Sequence, residues 1–186
     1  MISFRSLIAS TVCLAFLSPL SPSFAQAPIG SIDGMVISVS DGSRMTVVNN
    51  GNEISVILYG VDAPVITKIQ RGEPWLSKPG QPFAGRAFMA LSNKVLHKQV
   101  RIEIMKIDHH GRMVAVVYAG SKNINLEMIT EGWAWTAHKL KNHPEAQEYF
   151  HAEELAKAKR AGLWSQDNPQ PPWEFRKSRK INQDSW

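Results

Sequence analysis

Three short stretches of the chain alternate hydrophobic and polar residues with a period of two and are rich in β-branched side chains. They are residues 34–40, 45–48 and 54–59. This pattern predicts three strands. A turn at Asp41-Gly42 separates the first two, and Asn50-Gly51, a strong hairpin signal, separates the second from the third. We therefore predict an antiparallel meander that ends at the Asp62-Ala63-Pro64 corner.

The segment 65–80 has no regular hydrophobic period and is interrupted by prolines and glycines. Loops of this length tend to be functional or disordered rather than merely connecting. Trp75 lies in the middle of this loop, and a tryptophan side chain is costly to leave in water. We expect the loop to pack back onto the domain or to contact a partner protein.

Helical spacing begins after Pro82, where apolar residues recur on one face from residue 84 to residue 95. Alternation returns in residues 100–107, which predicts a fourth strand with its even-numbered residues facing the core. Met105 and Ile107 fall on the other face. The end of this strand is therefore predicted to be covered on both sides.

End signals predict the remaining helices. Asn125 is a favourable N-cap for a helix over residues 126–130, and Gly132 is expected to stop that helix. Pro144 at a first helical position begins the last predicted helix. The aromatic, proline-rich stretch after this helix is predicted to lie extended across the body, and the polar tail, residues 176–186, to fray.

A turn at residues 108–111 precedes a fifth predicted strand over residues 113–118. A helix between the third and fourth strands and closing helices after the fifth complete the order. This order is typical of an α+β, mainly β, fold. It predicts a five-stranded OB-type Greek-key barrel with about three helices, formed by one domain over residues 26–175.

The first 25 residues have the pattern of a signal peptide. Arg5 supplies a positive start, a short apolar run follows, and Ser23-Phe24-Ala25 is a small-x-small cleavage site. The run is too short and too broken to span a bilayer comfortably. We expect residues 1–25 to be removed and the mature chain, with no transmembrane segment, to be exported and to remain periplasmic or be secreted. Cys13 leaves with the signal, which excludes disulfides and thiol chemistry.

The composition is mildly basic, with 21 Lys and Arg against 16 Asp and Glu and a formal net charge of +5. Removal of Arg5 with the signal lowers this excess by one. Such a balance is compatible with nucleic acid or another polyanion as a partner. It is a weak indication, because many exported proteins are basic for no specific reason.

Seven short motifs occur along the chain in one order. They are Asp41-Gly42, Leu58-x-Gly60-Val61-Asp62-Ala63-Pro64, Gly80-Gln81-Pro82-Phe83-Ala84-Gly85, Asp108-x-x-Gly111-Arg112, Asn125-x-x-Met128-Ile129-x-x-Gly132, Ala161-Gly162-Leu163-Trp164 and Pro171-Pro172-Trp173-Glu174-Phe175-Arg176. Together they resemble the staphylococcal nuclease-like (thermonuclease) family, over residues 34–176. The resemblance implies an OB-type barrel with helices. For active members of the family it implies calcium-dependent phosphodiesterase activity on DNA and RNA.

Three positions depart from the family's pattern. The resemblance implies a calcium-binding aspartate where this chain has Ser43, and a phosphate-binding arginine where it has Ile57. It also implies a glutamate that activates or positions the attacking water where this chain has Val65. Two matching residues remain, because Asp62 corresponds to the other calcium carboxylate and Arg112 to the second phosphate-binding arginine.

These replacements weaken the expected chemistry. Calcium binds six to eight oxygens and its affinity depends on how many are charged, so Ser43 is a poor substitute. Loss of one preorganised donor costs about 10²–10³ in rate, and loss of a base about 10²–10⁴. We expect little or no ordinary nuclease activity, no cofactor, and calcium only if the family activity persists. Asp41 is expected to cap its own turn, Ile57 to pack in the core, and Arg44 to point away from Ser43.

Four residues near the expected phosphate pocket have two interpretations each. Arg112 either clamps a phosphate or holds its hairpin through a carboxylate. Asp62 is either a metal-ligand remnant or, as we favour, the builder of the Asp-Ala-Pro corner. His109 and His110 are either ligands of an anion or a metal or, more typically, exposed turn residues.

The stretch after the second predicted helix holds Trp133, Trp135 and His138. The resemblance places the aromatic lining of the nucleotide pocket here. Trp135 is therefore a candidate for base stacking and His138 for ligand binding, whereas Trp133 is more typical of a core. His143 and His151 follow at no standard metal-ligand spacing.

The leading hypothesis is an exported thermonuclease-like protein with a degraded catalytic site, which binds nucleic acid, another anionic ligand or a protein. The alternative is an active metal-dependent phosphodiesterase, a DNA or RNA endonuclease with a rearranged site, in which Glu73 replaces the glutamate missing at Val65. A third hypothesis is a structural envelope protein that uses the loop around Trp75 as an interface.

Overall fold

The computed structural model describes residues 27–67, 79–143 and 146–184. The predicted signal peptide, the predicted helix start at Pro144, and the loop residues Glu73 and Trp75 lie outside the described residues. Within these ranges no helix is long and apolar enough to cross a membrane.

The strands are β1 (Gly30–Asp41), β2 (Arg44–Asn49), β3 (Asn52–Leu58), β4 (Val61–Asp62), β5 (Gln99–Ile107), β6 (Met113–Ala119), β7 (Lys122–Asn123) and β8 (Trp135–Thr136). The helices are α1 (Ala84–Val95), α2 (Ile124–Thr130), α3 (Gln147–Ala158) and α4 (Pro172–Asp184), with 3-10 turns at His138–Leu140 and Gly162–Ser165.

Five of the strands close into a barrel. The order β3-β2-β1-β5-β6 is antiparallel at each step. β6 then pairs in parallel with β3, which places Ile57 beside Val114. The predicted five-stranded OB-type barrel is therefore confirmed. The described residues contain four α-helices, where the sequence indicated about three.

The β2–β3 hairpin forms where the sequence predicts it. Asn50 and Gly51 both have positive φ, 47° and 80°, which is the combination that a two-residue type I′ turn requires. The turn fixes the register so that Arg44 lies opposite Ile57. A slip of one residue would move every side chain of the hairpin to the other face of the sheet.

The barrel interior and the apolar face of α1 form the main core. On β5, Val100, Ile102 and Ile104 are buried as predicted. A bulge after Ile104 shifts the register and places Met105 in a second, smaller apolar cluster. Ile107 is 57% exposed, so the prediction that both faces of the strand end are covered is wrong at this residue.

The N-cap of α2 is Asn123 rather than Asn125. The Asn123 side chain accepts a backbone N–H of the first turn at 3.0 Å. Asn125 is fully buried instead: its Oδ1 accepts the N–H of Val117 at 2.9 Å, and its Nδ2 donates to the carbonyls of Tyr59 at 2.8 Å and Ala115 at 3.0 Å. Two asparagines of equal capping propensity stand two positions apart, and only tertiary contacts distinguish them.

The C-terminal segment is helical, which corrects the predictions of an extended crossing segment and a frayed tail. α4 begins at Pro172, since proline is tolerated in a first helical turn where its missing N–H is not needed. The Gln81 side chain donates to the carbonyl of Gln170 at 2.8 Å. The ring of Trp173 lies 5.3 Å from that of His138. These contacts hold the start of α4 against the barrel.

Candidate functional site

The corner after β3 positions Asp62. Gly60 has φ 77°, a conformation that side chains rarely adopt, and its carbonyl accepts the N–H of Ala137 at 2.8 Å. The short strands β4 and β8 then pair, with Asp62 opposite Trp135. Because directly opposed residues of an antiparallel pair project to the same side, the carboxylate of Asp62 and the indole of Trp135 share one side of this ladder.

Asp62 is already paired with a cation. Arg176 on α4 donates from Nη1 to Oδ1 at 3.0 Å and from Nη2 to Oδ2 at 2.7 Å, a bidentate pair. The Asp62 side chain keeps 20% of its exposure in this contact. The hydrogen bonds from Arg176 to Asp62 raise the pKa of the guanidinium, with a further contribution from the charge of Asp41. One guanidinium therefore lies within electrostatic range of both carboxylates.

The second carboxylate, Asp41, is buried and fully engaged by its own turn. Its Oδ1 accepts the backbone N–H and the hydroxyl of Ser43 at 2.8 and 3.0 Å, and its Oδ2 accepts Nε of Arg44 at 2.7 Å. The prediction that Asp41 caps its own turn is confirmed. The prediction that Arg44 points away from Ser43 is wrong, because the long arginine side chain reaches the carboxylate of Asp41, to which Ser43 also bonds.

Ile57 lies on the outer face of the barrel. Its neighbours on β3, Val56 and Leu58, are the ones that face the core, so the expectation that Ile57 packs in the core is corrected. Its partners across the sheet are Arg44 on β2 and Val114 on β6. The position therefore carries no charge of its own but has an arginine directly beside it.

Arg112 holds the turn between β5 and β6. Its Nε and Nη2 contact Oδ2 of Asp108 at 2.8 and 2.7 Å. Asp108 Oδ1 also accepts the backbone N–H groups of His110 and Arg112 at 2.9 and 3.0 Å. Hydrogen bonds from Arg112 hold the pKa of the Asp108 carboxyl well below its usual range. Of its two interpretations, the carboxylate pair is the one formed in the structure.

This pair gives a pH prediction. We expect the Asp108 carboxyl to stay ionised as pH falls through about 4, the ordinary range for aspartate, and to protonate closer to that value in Arg112→Gln. Because the folded-state pKa is depressed, the stability from this pair is present above the unfolded-state pKa and is lost as pH falls below it. Carboxyl ¹³C NMR titration measures the pKa of Asp108 in the wild type and in Arg112→Gln. Lys106→Gln is the control that removes a nearby cation without a bond to Asp108, and normal titration in the wild type would contradict the pair.

The histidine and tryptophan candidates fall in two places. His109 and His110 are exposed in the β5–β6 turn with their rings 3.9 Å apart. His138 is exposed beside Trp173 of α4, next to the Asp62 corner. Trp135 is only 4% exposed and meets Trp164 edge to face at 5.3 Å. Trp133, expected in the core, packs partly buried against it.

Trp135 also lines a groove of about 490 Å³ whose walls combine aromatic and charged side chains. Its aromatic members include Trp164 and Trp173. Two of its cations, Lys157 and Arg160, already pair with carboxylates. The burial of Trp135 leaves little of its face for stacking on a base.

Val65, the position of the missing glutamate, is fixed by its backbone. Its N–H donates to the side chain of Gln81 at 2.9 Å, and its carbonyl accepts the N–H of Gln81 at 2.7 Å. Three residues that shape the site are not among those predicted from the sequence to be functional: Gln81, Asn125 and Arg176. A signal was present for all three residues, since each belongs to one of the seven motifs.

The donors present do not fit calcium. All four carboxylate oxygens of Asp41 and Asp62 accept hydrogen bonds from the protein. The two negative charges are balanced by the guanidiniums of Arg44 and Arg176, whereas calcium affinity depends on uncompensated oxygen charge. Within the described ranges, no three His, Cys, Asp or Glu side chains are grouped so that they could hold a metal ion.

Sequence comparison agrees with the fold and these motifs. The family described as "Staphylococcal nuclease homologue" matches residues 55–166. An uncharacterised endonuclease of Haemophilus influenzae is 37% identical over 148 residues, covering 79% of this chain and 74% of that protein. A micrococcal nuclease of Shigella flexneri is 31% identical over 156 residues, covering 79% and 82%. A probable endonuclease of Verticillium alfalfae is 39% identical over 123 residues, covering 62% and 40%.

The chain therefore belongs to the staphylococcal nuclease homologue family, and it is a nuclease-family protein by descent. The family resemblance carried by the seven motifs is confirmed. What this chain does with the inherited site depends on the residues that now occupy it.

Proposed function

We propose that this protein is an exported member of the family that binds nucleic acid through the outer face of its barrel and does not cleave it by a calcium mechanism. The observation that carries the proposal is the placement of Arg44. It stands directly across from Ile57, so a guanidinium is supplied beside the position where the family resemblance implies one.

Four residues form one row on the outer face, hereafter the outer row. Arg44 pairs with Ile57, Ile57 with Val114, and Val114 with Lys106, across β2, β3, β6 and β5. Directly paired residues project to the same side. Because Val56 and Leu58 face inward, this row faces outward. A cation therefore stands at each end of an apolar centre.

Arg112 adds a third cation to this face. It lies two residues before Val114, and its carbonyl still accepts the N–H of Asp108 at 3.0 Å, so the period of two continues to this position. The side chains of Arg44 and Arg112 are 47% and 31% exposed. A guanidinium has five N–H donors, so each retains donors for a phosphate beyond those given to its aspartate.

Binding is tested with a single-stranded oligonucleotide followed by fluorescence anisotropy in EDTA, which separates binding from metal-dependent cleavage. Arg44→Ala and Lys106→Ala are each expected to weaken binding about 5–10-fold, and to reduce the salt dependence by about 0.7 per lost phosphate contact. Arg101→Ala is the matched control, since Arg101 is another half-exposed arginine with an acidic partner on β5. Equal binding by Arg44→Ala and the wild type would overturn the proposal.

A second candidate function, metal-dependent cleavage of nucleic acid, is favoured by the names of the relatives, which include a micrococcal nuclease and endonucleases. Purified protein is incubated with single-stranded DNA and RNA in calcium, magnesium, manganese and zinc, beside an Arg112→Ala variant. The leading proposal expects no product above the metal-free control. Metal-dependent cleavage that disappears in Arg112→Ala would contradict it and establish the second candidate.

A further inference from the structure

We propose that Arg176 is the resident cation of the carboxylate pair Asp41 and Asp62, so that a side chain of α4 takes the place that a divalent cation would need in this fold. The inference concerns the cation at this corner and does not depend on nucleic-acid binding. It follows from the disagreement between the inherited carboxylate at Asp62 and the donors that surround it.

The contact has the geometry of a specific pair. Both oxygens of Asp62 are used, each by a different nitrogen of the same guanidinium, at 3.0 and 2.7 Å. Planar guanidinium and carboxylate groups match in this bidentate arrangement, which a lysine does not reproduce. Asp62 is the more enclosed partner, with 20% exposure against 51% for Arg176, so the carboxylate depends on the arginine for its counter-charge.

Contacts at and just before the start of α4 hold the helix in the position that places Arg176 beside Asp62. α4 is anchored at its start by the bond from Gln81 to the carbonyl of Gln170. Trp173, one turn before Arg176, meets the ring of His138, which follows β8, while Arg176 meets Asp62 on β4. Residues three apart share a helix face, so one face of α4 contacts both β4 and the turn that follows β8.

Charge balance supports the same assignment. Asp41 takes Arg44 and Asp62 takes Arg176, which leaves the four-residue cluster neutral. The charge of Asp41 also contributes to the raised pKa of Arg176, as expected for a cation bonded to one acid with a second acid nearby. A divalent cation entering this cluster would have to displace at least one guanidinium and meet its repulsion.

Thermal unfolding with and without calcium tests the proposal. The wild type is expected to keep the same Tm from EDTA to millimolar calcium. Arg176→Ala is expected to lose about 3–6 °C, and to regain part of that loss in calcium, because the freed carboxylate of Asp62 then binds the ion. Lys177→Ala, which removes the adjacent exposed cation of α4, is the matched control and is expected to change neither value.

A double-mutant cycle with Asp62→Asn separates the pair from a general effect on α4. If Arg176 acts through Asp62, the double variant unfolds at nearly the same temperature as either single variant. Arg176→Lys is expected to recover only part of the loss. Additive losses, or a wild-type Tm that rises in calcium with binding seen by calorimetry, would overturn the proposal.

Discussion

Replacing Gly132 with alanine is expected to lower the free energy of unfolding by about 3–5 kcal/mol, because it combines backbone strain with overlap against main chain. Gly132 has φ 73°, and an added Cβ would lie 2.7 Å from the carbonyl carbon of Ala161. The facing residue, Gly162, has φ 53°, and an added Cβ there would lie equally close, 2.7 Å, to the carbonyl carbon of Gly132. Leu163 seals the junction by donating its N–H to the Gly132 carbonyl at 2.8 Å.

Chemical denaturation measures this loss. Gly120→Ala is the matched control, since Gly120 also has positive φ, 61°, but an added Cβ there meets nothing within 4 Å. It should show the strain alone, about 1 kcal/mol. Equal losses in the two variants would show that the ends of α2 and α3 are not packed backbone against backbone at Gly132 and Gly162.

Asn125→Ala is expected to cost about 3–5 kcal/mol. The truncated side chain leaves the N–H of Val117 buried without its partner, which costs about 1–3 kcal/mol, and it also removes the hydrogen bonds that Asn125 donates to the carbonyls of Tyr59 and Ala115. The carbonyl of Ala115 loses less, because the N–H of Tyr59 still donates to it at 2.7 Å. Since Tyr59 stands just before the corner that carries Asp62, the variant should also loosen the Asp62 contact with Arg176.

The neighbouring Asn123→Ala is the control for this prediction. It removes the helix cap from one partly buried N–H and also the side-chain hydrogen bond to Tyr149, so the expected cost is about 2 kcal/mol. Urea unfolding gives both values. If Asn123→Ala were the more damaging variant, the buried hydrogen bonds of Asn125 would contribute less than the cap at Asn123, which would contradict the prediction.

Local signals predicted the barrel because they act over a few residues. The Asn50-Gly51 turn selects its hairpin by backbone conformation alone, and the alternation on β5 follows from one buried face. The same locality explains the errors. The bulge after Ile104 and the parallel pairing of β3 with β6 depend on distant strands. The prediction of an extended segment around Pro172 is wrong because proline is also compatible with the first turn of a helix, the position that Pro172 occupies.

The sequence predicted which residues of the family's site are changed in this chain. It did not predict which other residues now supply charge at the site. Ser43, Ile57 and Val65 can be compared with a family pattern one position at a time. Arg44 becomes relevant through the cross-strand register that the Asn50-Gly51 turn fixes, which a comparison made one position at a time does not use. Arg176 becomes relevant through a partner more than a hundred residues away in the chain. A comparison of single positions with a family pattern does not detect a charge that is supplied by a residue elsewhere in the chain.

The parallel pairing of β3 with β6 has a consequence for how the chain folds. It joins residues 56–58 to residues 113–115, whereas the β2–β3 and β5–β6 hairpins close over short loops. Long-range pairing is slow because the chain loses the entropy of closing a long loop before the contacts between the two strands can form. Until these three residues pair, β3 and β6 present open strand edges, which are templates for pairing with another chain. The seam that completes the barrel is thus where a folding molecule remains open longest to association with a second copy.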